Sequence, residues 1–309
     1  MRIFIELPTW LGDAVMTSPA IENLAFYFKD LEINLIGSPI AIEALKNHPK
    51  VTKTYVLEKN YFNLYNMLRN LGDFDLFISF RGSFRSKIMK FFVAANKKYQ
   101  FDKNKYNNGH QVEKYNNFIN DCLKIDTSPS NLILYAEKMI KVKKNKVLGI
   151  NPGASYGSAK RWYPKEFADV AINLSNQYDI IIFGGPEEKD IATDIENFLI
   201  EKGVDNYQNL AAKLSINELI FQITNLDLFI TGDSGPMHLA ATFQVPTVAI
   251  FGPTNHKETS QWMNEKSMII KKDLECQPCM KRVCPLKHHN CMKLVEASDV
   301  LDVVNSFEL

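Results

Sequence analysis

The chain has 309 residues, 46% of them hydrophobic and 23% charged, a composition that suits folded domains with sizeable cores and excludes a disordered or fibrous protein. At about 100–200 residues per domain, this length suggests two domains. Thirty-six Lys and Arg against 35 Asp and Glu leave a formal charge of +1, so no global field calls for nucleic acid or an anionic surface, and any basic site must be local.

At the N-terminus, Arg2, an apolar stretch and Ser18-Pro19-Ala20 have the outline of a secretory leader, but Glu6 and Asp13 interrupt the apolar segment a leader needs. No run approaches the ~18 apolar residues of a membrane span, so the expectation is a soluble, cytoplasmic protein. Short apolar runs then alternate with amphipathic runs of helical length. Strand 2–7 (RIFIEL) precedes helix 18–30, strand 32–37 precedes helix 39–48, strand 53–57 precedes helix 61–72, and strand 75–80 (DLFISF) precedes helix 83–94. This alternation predicts a parallel, doubly wound α/β sheet. The polar, cationic stretch from Ile140 to Lys146 reads as a linker. The pattern restarts with strand 147–153, a helix from about Pro164 to Tyr178, strand 179–185, a helix from about Glu187 to Lys202, a short strand in 206–211 and a helix over 215–225. Strand 226–232, helix 237–243 and strand 246–252 follow. Two Rossmann-like domains are expected, 1–143 and 144–309, facing a central cleft. Neither half carries GxGxxG, and no GxxxxGK[ST] appears.

Ligands of such sheets bind at strand C-termini and helix N-termini, and three turns there carry candidate chemistry. Asp13 falls where strand 2–7 gives way through Gly12 to a helix. Asp is a preferred helix cap, and a carboxylate so placed is also a candidate general base; the residues alone leave both open. In the second turn, Gly153, Ser155, Gly157 and Ser158 form a small-residue loop, with Lys160 and Arg161 just before a helix. That combination suits a phosphate, although Arg161 reads equally well as a solvated surface cation. In the third, Asp233, Ser234 and Gly235 offer N–H and hydroxyl donors at a helix N-terminus. His238 lies one turn in, a residue type that is usually core on such a helix but here adjoins an anion nest.

Cys122 stands alone, whereas Cys276, Cys279, Cys284 and Cys291 cluster in a C-x2-C-x4-C-x6-C array that encloses His288 and His289. The array could fill a tetrahedral zinc site, but its irregular spacing favours reduced buried thiols, and no metal is assigned. Asp73-Phe74-Asp75 has the DxD form of a metal–diphosphate motif. It stands at the N-terminal end of a strand, away from the ligand edge, and reads as a turn.

TWLGDAVMTSPAI (9–21), NPGASYGSAKRWYP (151–164) and TGDSGPMHLAATFQVPTVAIFGPT (231–254), in that order, resemble glycosyltransferase family 9, the ADP-heptose:lipopolysaccharide heptosyltransferases. The middle motif is most similar to the heptosyltransferase II members. The resemblance implies a GT-B fold with the acceptor on the N-terminal domain and the sugar nucleotide mostly on the C-terminal one. It further implies a metal-independent, cofactor-free inverting transfer of L-glycero-D-manno-heptose from ADP-heptose to the first heptose of a heptosyl-Kdo-lipid A acceptor. Transient, peripheral contact with the inner face of the cytoplasmic membrane follows, with no nucleic acid as partner. Asp13 matches the family's catalytic base and Lys160 the cation facing the donor diphosphate. Gly153 and Ser155 accompany Lys160 in the donor site, and Asp233, Ser234, Gly235 and His238 match the donor-binding turn. Leu214, 19 residues before Asp233, resembles the position whose backbone meets adenine, and Glu187 the ribose-binding carboxylate.

Between Arg81 and Lys105 stand eight Lys and Arg against one acid, Asp102. Such a run is either a solvated face or, given an acceptor made anionic by Kdo carboxylates and phosphates, the acceptor site, with Arg81, Arg85 and Lys87 as its contacts. Phe84, Phe91 and Phe92 read as core rather than as lipid contacts. The alternatives of the same fold are heptosyltransferases I and III and a non-hydrolysing sugar-nucleotide epimerase, which would need more acid/base groups than Asp13.

Overall fold

The structure, a computed structural model, describes residues 1–136, 144–153 and 155–307. It separates into two compact units, Met1–Ala136 and Glu137–Leu309. The expected linker at 140–146 falls partly outside the described residues, and its last residue, Lys146, opens a strand.

The first unit is a parallel sheet of β1 (Arg2–Glu6), β2 (Glu32–Gly37), β3 (Val51–Val56), β4 (Phe74–Ser79) and β5 (Ala95–Gln100), in the order β3-β2-β1-β4-β5. Its helices are α1 (Leu11–Met16), α2 (Ser18–Tyr27), α3 (Pro39–Leu45), α4 (Tyr61–Arg69), α5 (Phe84–Phe92) and α6 (Gln111–Leu123). The apolar run Ile3, Phe4, Ile5 is fully buried because both faces of the central strand are covered, as parallel sheets require. Phe4 stacks on Phe74 at 5.0 Å and meets the edge of Tyr55 at 6.1 Å, tying β1 to β4 and β3. The chain winds from β1 outward to β3 and returns to start β4 on the other side of β1. The crevice at which a doubly wound sheet binds ligands therefore lies beyond the C-terminal ends of β1 and β4.

The second unit repeats the plan with β6 (Lys146–Asn151), β7 (Tyr178–Ile182), β8 (Tyr207–Asn209), β9 (Leu228–Gly232), β10 (Thr247–Ile250) and β11 (Ser267–Ile270). The parallel order β11-β10-β9-β6-β7-β8 puts its switch point between β6 and β9. The helices are α7 (Pro164–Leu174), α8 (Lys189–Glu201), α9 (Ile216–Thr224), α10 (Gly235–Thr242), α11 (His256–Thr259), α12 (Asn290–Lys293) and α13 (Ala297–Ser306). Trp162, 1% exposed, anchors this core, packed edge-on against Phe167 at 4.7 Å with its indole N–H donated to the Val295 carbonyl.

Several expectations need correction. The helix predicted at 18–30 ends at Tyr27 and is preceded by the separate short α1. The helix predicted to reach Tyr178 stops at Leu174, because Tyr178 is the first residue of β7. The strand predicted at 75–80 starts one residue earlier, at Phe74, so only Asp73 of Asp73-Phe74-Asp75 precedes β4, and the Asp75 carboxylate accepts the Arg2 backbone N–H at 2.7 Å. Phe84, Phe91 and Phe92 are not core: they are 73%, 77% and 42% exposed. No helix among the described residues is long and apolar enough to cross a membrane.

Candidate functional site

The switch point of the first unit is built around a buried carboxylate. Glu6, the last residue of β1, is fully buried and accepts hydrogen bonds from Ser79 Oγ at 2.6 Å and Ser86 Oγ at 2.9 Å. Arg81 Nη1 lies 3.5 Å from Glu6 Oε1, the oxygen that also accepts from Ser86. Burial raises the Glu6 carboxyl above its ordinary 4.5, against the lowering pull of Ser79, Arg81, Ser86 and Arg85. The loop carrying Arg81 is fixed from the other side by Gln100, whose amide donates to the carbonyls of Arg81 and Ser83. Neither Glu6 nor its serines stands out in the sequence, because Glu6 looks like an interruption of an apolar strand, Ser79 like an ordinary strand-end residue and Ser86 like a polar residue in the first turn of a helix.

Asp13 faces the same crevice. It is the third residue of α1, whose N-cap is Trp10, so it does not fill the capping position that was its alternative role. It lines a depression of about 760 Å3 together with Arg81, Lys87, Lys90, Lys103 and Tyr115. Tyr115 is buried, and its hydroxyl is pushed well above its usual range, first by burial and then by the negative charge of Asp13. Asp13, Arg81 and Lys87 are thus brought together, with Lys90 and Lys103 as further cations of the wall. Arg85 lies outside that lining, its guanidinium 5.1 Å from the ring centre of Tyr61.

The second unit assembles its site at the ends of β6 and β9. Lys160 Nζ lies 2.5 Å from Asp233 Oδ2 and donates to the Asp233 carbonyl at 3.1 Å, while its charge rests 4.9 Å from the ring centre of Tyr156. The same carboxylate oxygen accepts the Thr254 hydroxyl at 2.6 Å. Both partners are nearly withdrawn from water, at 12% and 5% side-chain exposure, which makes the pair costly to break from one side. Ser234 is the N-cap residue of α10 by backbone position, yet its side chain does not cap the helix. Asn151 Nδ2 donates to it at 3.0 Å, and Thr231 Oγ1 lies 3.3 Å away. Pro236 removes one N–H from the first turn, so the helix end offers the Ser234 and Gly235 amides and the Ser234 hydroxyl. His238 is buried in the next turn. Asn151, Thr231 and Thr254 were not singled out in the sequence, since single polar residues at strand ends carry no pattern.

The profile of Glycosyltransferase family 9 (heptosyltransferase) matches residues 110–290. Lipooligosaccharide heptosyltransferase 2 of Campylobacter jejuni is 44% identical, over 98% of this chain and 97% of that protein. The chain belongs to glycosyltransferase family 9. A relative of the same description from Haemophilus influenzae is 26% identical over 88% of each chain. The structure of E. coli ADP-heptose LPS heptosyltransferase II superposes with a TM-score of 0.80 at 21% identity, covering 99% of this chain and 98% of that one. That likeness establishes the GT-B architecture of two Rossmann-like units.

In this family 9 chain the loop before Lys160 is held by close approaches. A Cβ on Gly153 would lie 2.3 Å from Glu188 Cγ. Glu188 is buried, and its carboxylate accepts the Gly185 N–H at 2.5 Å, whereas Glu187 beside it is exposed in a 3₁₀ turn. Ser155 Oγ reaches Glu188 Oε1 only at 3.5 Å. Leu214 is half-buried in the connection between β8 and α9, directly before the Ser215 cap. From the other side the C-terminal cysteine-rich segment buttresses the loop. The Arg282 carbonyl accepts the Ala159 N–H at 3.0 Å and would lie 2.4 Å from a Cβ on Gly157. Tyr156 donates its hydroxyl to the Met280 carbonyl. His289 bridges the Ala159 carbonyl and the Tyr163 hydroxyl, and His288 Nδ1 accepts the Asn290 N–H, so both histidines are engaged in fixing the backbone. All four clustered cysteines are free thiols. Burial and the three neighbouring cysteines push the Cys291 thiol up to about 11. No group of three or more His, Cys, Asp or Glu among the described residues is arranged to hold a metal.

Proposed function

We propose that this glycosyltransferase adds the second heptose of the lipopolysaccharide inner core, taking L-glycero-D-manno-heptose from ADP-heptose and placing it on the first heptose of a Kdo-lipid A acceptor. The observation that carries the reading is the 44% identity to heptosyltransferase 2 of Campylobacter jejuni along essentially the whole chain. It is supported by Asp13 in a cation-walled depression of one unit and Lys160 at a helix N-terminus of the other. The first unit binds the acceptor, with Arg81 and Lys87 pairing with its carboxylates and phosphates. The second binds the nucleotide sugar, with Leu214 and Glu187 toward the nucleoside and Gly153, Ser155, Ser234, Gly235 and His238 around the phosphates.

In the proposed reaction Asp13 takes the proton of the acceptor hydroxyl as that oxygen attacks the anomeric carbon. The bond from that carbon to the diphosphate breaks, and ADP leaves with the electron pair from the opposite side, which inverts the configuration. Negative charge grows on the diphosphate as the bond breaks. Lys160 and the amides at the start of α10 offset it, an electrostatic contribution of about 2.7–4 kcal/mol per well-placed donor. With those groups in place, the reaction is expected to run at full rate in the presence of a metal chelator. The deciding experiment offers ADP-heptose with purified acceptors carrying zero, one or two heptoses. Turnover confined to the one-heptose acceptor supports the reading, and preference for either of the others reassigns the acceptor position. The lipid anchor of that acceptor puts the enzyme at the inner face of the cytoplasmic membrane.

A further inference from the structure

Five of the exposed aromatic side chains of the first unit, Tyr61, Phe62, Phe84, Phe91 and Phe92, fall on the neighbouring helices α4 and α5, accompanied by cations; Trp10, Phe26, Tyr27 and Tyr135 are exposed elsewhere on the unit. On α5 the seven-residue spacing of Phe84 and Phe91 puts both on one line of the helix, and they are 73% and 77% exposed. On one side of that line Lys87 turns toward the acceptor depression. On the other, Arg85 and Phe92 meet α4: Arg85 stacks on Tyr61 at 5.1 Å and Phe92 meets the edge of Tyr65 at 4.9 Å. Phe62 of α4 is itself 68% exposed. Behind Phe91, the edge strand β5 carries Lys97 and Lys98, and Lys98 Nζ lies 3.3 Å from the Phe91 carbonyl. The elements α4, α5 and β5 together hold Arg69, Arg85, Lys87, Lys90, Lys97 and Lys98 and no Asp or Glu at all.

Exposed phenylalanines are unfavourable in water, and beside them Arg69, Lys97 and Lys98 face outward with no carboxylate on the same elements, while Lys87 and Lys90 continue the positive charge into the wall of the Asp13 depression. Aromatic side chains that dip into the headgroup region, ringed by Lys and Arg, suit an anionic bilayer surface. From this juxtaposition we infer that the α4–α5–β5 face docks on anionic lipid and presents the Asp13 depression, which α5 shares, to a membrane-held acceptor. The link to the acceptor rests on the function proposed above; the lipid contact does not.

The test is co-sedimentation of the full-length protein with vesicles of phosphatidylcholine alone or with about 30% phosphatidylglycerol, which supplies the negative surface potential that attracts basic residues. Wild type should bind the anionic vesicles and release them in high salt, and Phe84→Ser/Phe91→Ser should bind at least ~10-fold more weakly because two rings that dip into the bilayer on docking are lost. Turnover of a deacylated, soluble acceptor should be unchanged in the variant, while turnover of the fully acylated acceptor embedded in vesicles falls by a similar factor. Absence of vesicle binding by wild type, or equal binding by the variant, overturns the docking surface. So does a wild-type dimer that ignores vesicles and that the two substitutions convert to monomer, which would make the face a contact between copies. If no heptose-bearing acceptor is turned over in either form, the proposed function fails while the vesicle result still decides the surface.

Discussion

Burial sets the character of the carboxyl at the end of β1. Glu6 has no water to solvate its charge, and its two serine donors and Arg81 do not bring it back to its ordinary 4.5. An acid whose pKa is higher folded than unfolded binds more protons in the folded state between the two values. Stability is therefore lost as pH climbs through that interval, and the penalty persists above it. Glu6→Gln has no such titration, so the melting temperature of wild type relative to the variant should fall from about pH 4 to pH 7. Thermal melts across that range check this, and a constant difference would show that Glu6 is not raised. Asp13→Asn should keep donor affinity and lower kcat by at least ~10²-fold, as expected for loss of a general base. A variant near normal kcat would leave Asp13 with no part in the chemistry. Lys160→Ala is a harsher change than its surface-like motif suggests, because it leaves the Asp233 carboxylate buried without its cation. It should cost about 3–5 kcal/mol of stability as well as weakening ADP binding, and calorimetry with ADP separates the two effects.

At the scale of elements, the parts that were legible in the sequence are those with a period or a fixed turn chemistry. The buried strands β1, β4, β7, β9 and β10 read directly as apolar runs, and the helix expected over 215–225 is α9, which the structure starts with a Ser215–Glu218 capping box. What escaped lacks such a signal. β5 is an edge strand of sequence ANKKYQ, half-exposed and without apolar alternation. α6 is capped by His110, an unusual cap, and interrupts its apolar face with asparagines. The cysteine-rich segment invited a metal reading from composition, while its observed work lies in main-chain contacts to the Lys160 loop, which residue type does not encode. Those contacts make a prediction for the loop. Gly157 has a φ of +156° and no room for a Cβ beside the Arg282 carbonyl, so Gly157→Ala must push the two segments apart. Donor KM should rise at least ~10-fold through displacement of Lys160, a misplacement of about 1 Å being enough to cost that much. Acceptor KM should stay near its wild-type value, and an unchanged donor KM would detach the segment from the site.

For the whole molecule, the doubly wound pattern decides where chemistry can sit before any side chain is considered: once β1 meets β4, and β6 meets β9, each unit has one crevice at its strand ends. Asp13 and Lys160 were legible because family motifs fall on those crevices. Glu6, Asn151 and Thr254 were not, because their roles arise only when strands distant in sequence become neighbours. The same division gives a prediction about substrates. Arg81 and Lys87 belong to the unit that holds Asp13, and Lys160 to the other. If the two substrates divide between the units in that way, Arg81→Ala/Lys87→Ala should raise acceptor KM and leave donor KM nearly unchanged, because exposed charges farther apart than about 8–10 Å are largely screened. The acceptor defect should also shrink as salt rises, since wild type loses the attraction that the variant already lacks. Loss of the Arg81 contact to Glu6 adds a stability cost that must be measured separately, and the single variant Lys87→Ala, whose side chain is exposed on α5, supplies the control. If both KM values rise together in Lys87→Ala with an unchanged melting temperature, the cations serve both substrates and the assignment of the acceptor to the first unit is lost.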